Sequence, residues 1–179
     1  MIQNERDIRT ESVIDIAKKM MIAARTAPKG KGIDIVEVGL VTGKNIKELS
    51  EKTREEGERR ELKFFLRDSE NILSAEAVLL IGTAFEVQGL NCAYCGYATC
   101  AEKPKYIPCA LNTIDVGIAI GSACSVAADH RVDTRVMFSA GLTAQELKYL
   151  GNSKLVFAIP ISASSKNPFF DRKPKKEIQ

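Results

Sequence analysis

The chain has 179 residues with a formal net charge of +3, and 45% of its residues are hydrophobic and 27% charged. This length and composition predict one soluble domain, 1–179, and give no sign of disorder. The net charge is too small to indicate a nucleic-acid partner. The longest apolar stretch, 75–85, is too short to cross a membrane, so no membrane partner is expected.

The first half of the chain predicts alternating helices and strands. Thr10 is the predicted cap of the first helix, whose apolar residues recur at helical spacing up to Ala24. Asn45 and Glu48 form a capping-box-like start for the second helix. In chain order the predicted elements are a helix ending at 27, a strand at 33–41, helices at 46–60 and 62–73, and a strand at 77–82.

The second half contains a helix with almost no charge. From Thr113 the sequence is apolar nearly all round, which predicts a helix buried on most faces and suited to contact a second subunit. A strand at 135–139, a helix at 143–150 ended by Gly151, and a strand at 155–159 follow. This alternation predicts an α/β or α+β layered domain with a central sheet.

Four of the five cysteines lie in one loop, 90–110, with the spacing C-x2-C-x4-C-x8-C. Thiolates this close together repel one another, whereas a soft metal centre collects them and is stabilised by their negative charge. The pattern therefore predicts a metal site with the ligands Cys92, Cys95, Cys100 and Cys109.

The loop favours an iron-sulfur cluster over a zinc ion. Structural zinc sites usually combine two short knuckles, and this loop has one, with its other ligands spread widely enough to wrap a cubane. Gly96 allows backbone N–H groups to approach the cluster's sulfides, and Tyr94 and Ile107 supply apolar cover. A [4Fe-4S] cluster is the preferred interpretation. Zinc, disulfides and unligated thiols are the alternatives.

The redox environment follows from the rest of the chain. The N-terminus is charged and no apolar signal-peptide region follows it, so a reducing, cytoplasmic location is expected. An odd number of cysteines also argues against a closed disulfide framework. Cys124 lies apart among small residues and is interpreted as a buried structural thiol. The single histidine, His130, ends the predicted buried helix, where capping is a commoner role than catalysis.

The cysteine loop resembles a known cluster-binding motif. Its sequence from Cys92 to Cys100, CAYCGYATC, is similar to the [4Fe-4S] motif of ferredoxin-like modules in corrinoid iron-sulfur proteins and electron-transport complexes. The likeness covers three ligands and departs at Ala93. The fourth ligand of those modules lies further downstream than Cys109. The resemblance implies electron transfer through a cluster.

The chain as a whole resembles an uncharacterised prokaryotic family described as containing a ferredoxin domain. The likeness spans nearly every residue but implies no particular reaction. It is carried by the cysteine loop and by AARTAPKG at 23–30, DVGIA at 115–119, IPIS at 159–162 and KNPFFDR at 166–172.

The order of elements has a fainter resemblance to FMN-dependent nitroreductases, which are homodimers that hold the flavin at the subunit interface. It implies an α+β, nitroreductase-like fold, a homodimer and a flavin site. The flavin phosphate would then contact Arg6 and Arg9, since guanidinium forks suit phosphate oxygens. Arg25, Lys29 or Lys31 would be their neighbours.

Three functions are consistent with these observations. The first is an iron-sulfur redox protein that passes single electrons to or from a partner protein or small molecule, alone or coupled to FMN. The second is a zinc-binding structural module that acts through a partner surface. The third is a nitroreductase-like flavoenzyme in which the cysteines do not take part in turnover.

Overall fold

The computed structural model describes residues 2–170. Within this range the chain forms five α-helices, four β-strands and a short 3-10 helix, Gly30–Gly32. In chain order the main elements are α1 (Glu5–Thr26), β1 (Val36–Thr42), α2 (Lys44–Arg59), α3 (Lys63–Ile72), β2 (Ala77–Thr83), α4 (Ala110–Asp129), β3 (Asp133–Thr134), α5 (Phe138–Glu146) and β4 (Leu155–Ser162).

The strands form one antiparallel sheet in the order β1-β2-β4-β3. Strand β2 lies between β1 and β4, so that Leu79 is opposite Leu40 on one side and Ile159 on the other. Every residue of β2 is buried. A strand covered on both faces and paired on both edges needs no alternation of polar and apolar residues, which explains its continuous apolar sequence.

Helices cover both faces of the sheet. On one face, α1 and α4 pack against Leu79 and Ile81, and on the other, α2 and α5 pack against Val78 and Leu80. Alternate residues of β2 therefore belong to two separate cores, as the period of two in a strand requires. At Gly141 the backbone of α5 approaches β4 so closely that a Cβ would lie 2.2 Å from a carbonyl oxygen. The predicted layered α+β domain with a central sheet is confirmed.

Helices α1 and α4 form an antiparallel pair. The backbone N–H of Gly30, just beyond α1, donates to Asp115 near the start of α4, and Ser122 Oγ donates to the carbonyl oxygen of Ala23 at 2.9 Å. At the other end, Lys19 Nζ lies 3.2 Å from the imidazole of His130, which is the C-cap of α4. The predicted capping role of His130 is thus confirmed. The cysteine loop enters this pair at the N-terminal end of α4.

Helix α4 is buried on one face, not on most faces as its sequence predicts. Val116, Ala119 and Ala123 pack into the core, but Ile114 is 48% exposed and Ile118 40%. Among residues 2–170, this 20-residue helix has the length and the mean hydropathy, 1.4, to cross a membrane, which corrects the expectation that no stretch is long enough. Because one face packs on the sheet and α1, it is a core helix with an uncovered apolar face.

Several predicted element boundaries are wrong. Asn4, not Thr10, caps α1 by accepting from the N–H of Arg6, so the helix begins one and a half turns earlier. Of the residues predicted as a strand at 135–139, Met137 pairs with Ala158 of β4 in an isolated bridge, and α5 begins at the next residue, Phe138. The helix predicted to begin at 143 ends at Glu146. Strand β4 continues through Pro160 to Ser162.

Candidate metal centre

In the structure the cysteine loop spans residues 84–109 and joins β2 to α4, so it begins earlier than the predicted 90–110. Asn91, Ala93 and Gly96 all have left-handed backbone angles, with φ of 47°, 60° and 88°. The N–H of Gly96 donates to the carbonyl oxygen of Ala93 at 2.8 Å, which closes a tight turn that contains Cys95. Left-handed conformations are costly for residues with a Cβ, so contacts within the loop must hold this path.

The four predicted ligands are free thiols on this one segment. Cys92, Cys95 and Cys100 are half-buried, and Cys109 is 5% exposed at the N-cap of α4. Asn91 makes two contacts with the third cysteine. Its N–H lies 3.4 Å from Cys100 Sγ, and its side-chain oxygen accepts a hydrogen bond from the Cys100 N–H at 2.8 Å.

The thiols are close in sequence, but they are not a preformed cage. No three Cys, His, Asp or Glu side chains within residues 2–170 stand together in the geometry of a bound ion. The donor set still fits an iron-sulfur cluster, because four soft ligands lie within one irregular loop and none is used in a disulfide. Binding would require the loop to close around the metal, as is common for small metal-binding segments.

Lys103 provides an independent test of this fit. Its side chain is only 7% exposed, although it lies on the loop between Cys100 and Cys109. The ammonium donates to the carbonyl oxygens of Phe85 at 3.5 Å, Pro104 at 3.1 Å, and Ile107. No carboxylate in the described part of the chain forms an ion pair with it. Three carbonyl oxygens accept the ammonium's hydrogen bonds but carry no full negative charge, and thiolates of the same loop would supply one.

A buried polar network fixes the two ends of the loop. The Gln88 amide donates to Asn112 at 2.9 Å and to Asp115 at 3.3 Å, and the Asn112 amide donates to the carbonyl oxygen of Glu86 at 2.7 Å. Asp115 also accepts from the N–H of Gly30 with both oxygens at 3.1 Å. Sequence analysis did not predict these roles for Gln88 and Asn112. An acid near the start of an otherwise apolar helix is the signal that points to Asp115.

Cys124 is separate from this site. It lies in the second half of α4, half-buried against the core on the α1 side of the sheet. Burial raises the pKa of its thiol, and a hydrogen bond with Thr134 opposes part of that shift. A protonated, packed thiol agrees with the predicted structural role.

The basic residues predicted to hold a flavin phosphate lie at opposite ends of α1. A helix of 22 residues spans about 33 Å. The expectation that Arg25 and Lys29 neighbour Arg6 and Arg9 is therefore wrong within one chain. Arg25 pairs with Asp34 at 2.8 Å. Lys29 Nζ caps the C-terminus of α1 by donating to three carbonyl oxygens, those of Ala24, Arg25 and Ala27.

Arg6 and Arg9 instead line a polar cavity of about 520 Å³ at the start of α1. Arg131, just beyond α4, and the hydroxyl-bearing Ser164 and Ser165 lie in the same wall. Arg9 donates two hydrogen bonds of 2.6 Å to Glu5. Arg6 and Arg131 are therefore the cations of this cavity that are more available to bind an anion. Three guanidinium groups near two hydroxyls and a helix N-terminus suit a phosphate-sized anion. Arg131 was not predicted.

Solved structures identify the fold. The chain is similar to a nitroreductase with bound FMN from Bacteroides fragilis at 14% identity and a TM-score of 0.58, over 92% of this chain and 85% of that one. It is similar to an NADPH:FMN oxidoreductase from Vibrio harveyi at 13% identity and a TM-score of 0.57, over 89% of this chain. The chain spans 63% of the Vibrio protein's length. The protein thus has the fold of the FMN-binding nitroreductases.

Sequence comparison identifies the family. A protein of Archaeoglobus fulgidus, described as uncharacterized, is 39% identical over 98% of this chain and 100% of its own length. A family model described as "Uncharacterized protein containing a ferredoxin domain" matches residues 107–172, which include Cys109 but not the other three loop cysteines. The chain belongs to this family of uncharacterised proteins that contain a ferredoxin domain.

Proposed function

We propose that the protein is a cytoplasmic iron-sulfur redox protein. A [4Fe-4S] cluster, when bound by Cys92, Cys95, Cys100 and Cys109, supplies one-electron transfer. The observation that carries this proposal is the buried ammonium of Lys103, which has no carboxylate partner and lies on the same loop as four free thiols. A redox partner, either a protein or a small molecule, would exchange the electron.

The chain's own residues orient and tune the loop. The N–H of Asn91 donates to the sulfur of Cys100, which stabilises negative charge on that ligand. Cys109 lies at the positive end of α4, and Lys103 places a full positive charge nearby. These three effects all favour the more negative, reduced state of a cluster, so we expect a higher reduction potential than in an uncharged apolar loop.

Metal analysis after anaerobic purification tests the proposal. We expect about four irons and four sulfides per chain, with broad absorbance near 400 nm. About one zinc per chain and no colour would instead support the structural module that acts through a partner surface. Zinc bound without iron would overturn the redox assignment.

The cavity at the start of α1 favours a second candidate, a flavoenzyme in which this cavity holds the FMN phosphate. The two proteins compared above, which share the fold, are a nitroreductase with bound FMN and an NADPH:FMN oxidoreductase. Arg6, Arg9 and Arg131 would bind the phosphate oxygens. We expect Arg6→Gln combined with Arg131→Gln to reduce FMN affinity at least tenfold in a fluorescence titration, while Lys63→Gln leaves it unchanged. Equal FMN affinity in wild type and both variants would rule out this cavity as the FMN phosphate site.

The uncovered face of α4 supports a homodimer. Ile114 and Ile118 are exposed there beside two bare glycines, Gly117 and Gly121, which would let a second backbone approach closely. Light scattering would report a mass of two chains, and Ile118→Glu would shift it toward one chain. A monomeric wild-type protein at micromolar concentration would contradict this proposal.

A further inference from the structure

A cavity of about 510 Å³ opens where the cysteine loop leaves the sheet, and Cys100 forms part of its wall. Much of the remaining wall is apolar: Ala84, Phe85 and Val87 come from the start of the loop, and Ala101 follows the cysteine. This volume lies within the usual range for small-molecule sites. A molecule in the cavity would therefore lie beside one ligand of the proposed cluster.

The rim of this cavity is positively charged. Lys103, Lys105 and Lys154 line it, and Glu86 is the acidic residue among its lining residues. The ammonium of Lys103 already donates hydrogen bonds to carbonyl oxygens of the loop. Lys105 and Lys154 are exposed and form no ion pair with any residue between 2 and 170. An apolar pocket with two uncommitted cations at its mouth is complementary to a flat apolar molecule that carries an acidic group.

We infer that this cavity binds a small conjugated anion, an aromatic or quinone-like ring system with a carboxylate, sulfonate or phosphate, as the electron-exchange partner of the loop. The inference rests on the proposed function and names the partner's chemical class. A conjugated ring is required because it can take up a single electron without breaking a bond. A cluster held by the four cysteines would supply one electron to the bound ring, so that the cluster would be oxidised and the ring reduced by one electron.

Binding is tested first, with no turnover involved. Anthraquinone-2-sulfonate and its neutral analogue 2-(hydroxymethyl)anthraquinone are dialysed to equilibrium against the oxidised protein at low salt. We expect the sulfonate to bind more tightly than the alcohol, and Lys105→Gln combined with Lys154→Gln to weaken sulfonate binding about tenfold without changing the alcohol. Lys63→Gln, an exposed lysine on α3 across the sheet, is the matched control and should change neither.

Electron transfer is tested second, with the same three proteins and the same two anthraquinones. Protein reduced with half a mole of dithionite per mole of cluster, which supplies one electron per cluster, is mixed with each acceptor, and the return of the oxidised-cluster absorbance is followed. The double variant should slow oxidation by the sulfonate about tenfold and leave oxidation by the alcohol unchanged, and added salt should remove the difference. Equal losses for both acceptors, or no preference for the anion in binding, would overturn the inference. A protein without iron that still prefers the sulfonate would refute the proposed cluster while keeping the anion site.

Discussion

The sheet and the cysteine loop are stabilised by different interactions. Strand β2 is held by complete burial, with Leu79 and Ile81 at 0% exposure between two helical layers. The loop that follows it exposes Leu90, Tyr94 and Tyr106 to solvent and is held by polar side chains that reach backbone groups. Apolar burial therefore stabilises the sheet, whereas the path of the loop depends on hydrogen bonds between polar side chains and the backbone.

The largest expected effect is loss of the metal site in the loop with no change in the folded domain. Cys95→Ser removes a thiolate ligand, so we expect cluster content to fall to a small fraction of wild type while helix content by circular dichroism stays unchanged. Iron and sulfide analysis of the anaerobically prepared protein gives the first quantity. Cys124→Ser is the control, because this thiol lies on α4 away from the loop, and it should keep its iron.

Two outcomes would contradict this separation. Loss of helix content in Cys95→Ser would mean that the cluster holds the scaffold as well as the loop. Full iron content would mean that Cys95 is not a ligand.

The second expected effect is a loss of stability in the sheet with no change in metal binding by the loop. Leu79→Ala leaves a cavity in the core, and we expect it to reduce the free energy of unfolding by about 3 kcal/mol in urea titrations. Leu90→Ala makes the same change on the loop, where the side chain is 43% exposed, and should have little effect on stability. Iron bound per folded molecule should match wild type in both. A similar cost at the two positions would show that the loop is as tightly packed as the core.

The same contrast explains what the sequence could and could not predict. The strand at 77–82 and the layered fold follow from local apolar patterns, and the structure has them nearly as predicted. The partial exposure of α4 depends on which neighbours cover it, and no local pattern records that. Arg25 and Lys29 are basic residues that look available in sequence, yet one pairs with Asp34 and the other caps α1.

The candidate site divides in the same way. Cysteine spacing is written in the sequence, so the four proposed ligands could be named from it. Other residues gain their roles only from tertiary contacts. These are the buried Gln88 and Asp115, the exposed Arg131 and the buried Lys103. A lysine on a polar loop is usually solvated, so nothing local marks Lys103 as buried.

The third expected effect is a change in electrostatics within the loop. Lys103→Gln removes a buried positive charge but keeps a donor for the carbonyl oxygens of Pro104 and Ile107. We expect the cluster's reduction potential to fall by about 59 mV, a tenfold change in a one-electron equilibrium. A redox titration followed by electron paramagnetic resonance measures it. Lys105→Gln, an exposed neighbour whose charge is screened by solvent, should shift the potential far less. Equal shifts would show that Lys103 acts only as a general surface charge.

The smallest expected effect concerns an ion pair on helix α2, outside the loop. Hydrogen bonds from Arg59 and then Arg60 lower the pKa of Glu56 from its ordinary value of 4.5 to about 2. A carboxyl group with a lowered pKa in the folded state adds stability above pH 4.5 and loses it as the pH falls toward 2. Both arginines are partly exposed, so we expect Glu56→Gln to cost less than about 1 kcal/mol at pH 6 and nothing near pH 2. Urea unfolding at pH 6 and pH 2 tests this, with the exposed Glu58→Gln as control. A large cost at pH 6 would mean that ion pairs, and not burial alone, hold the helical layer of α2.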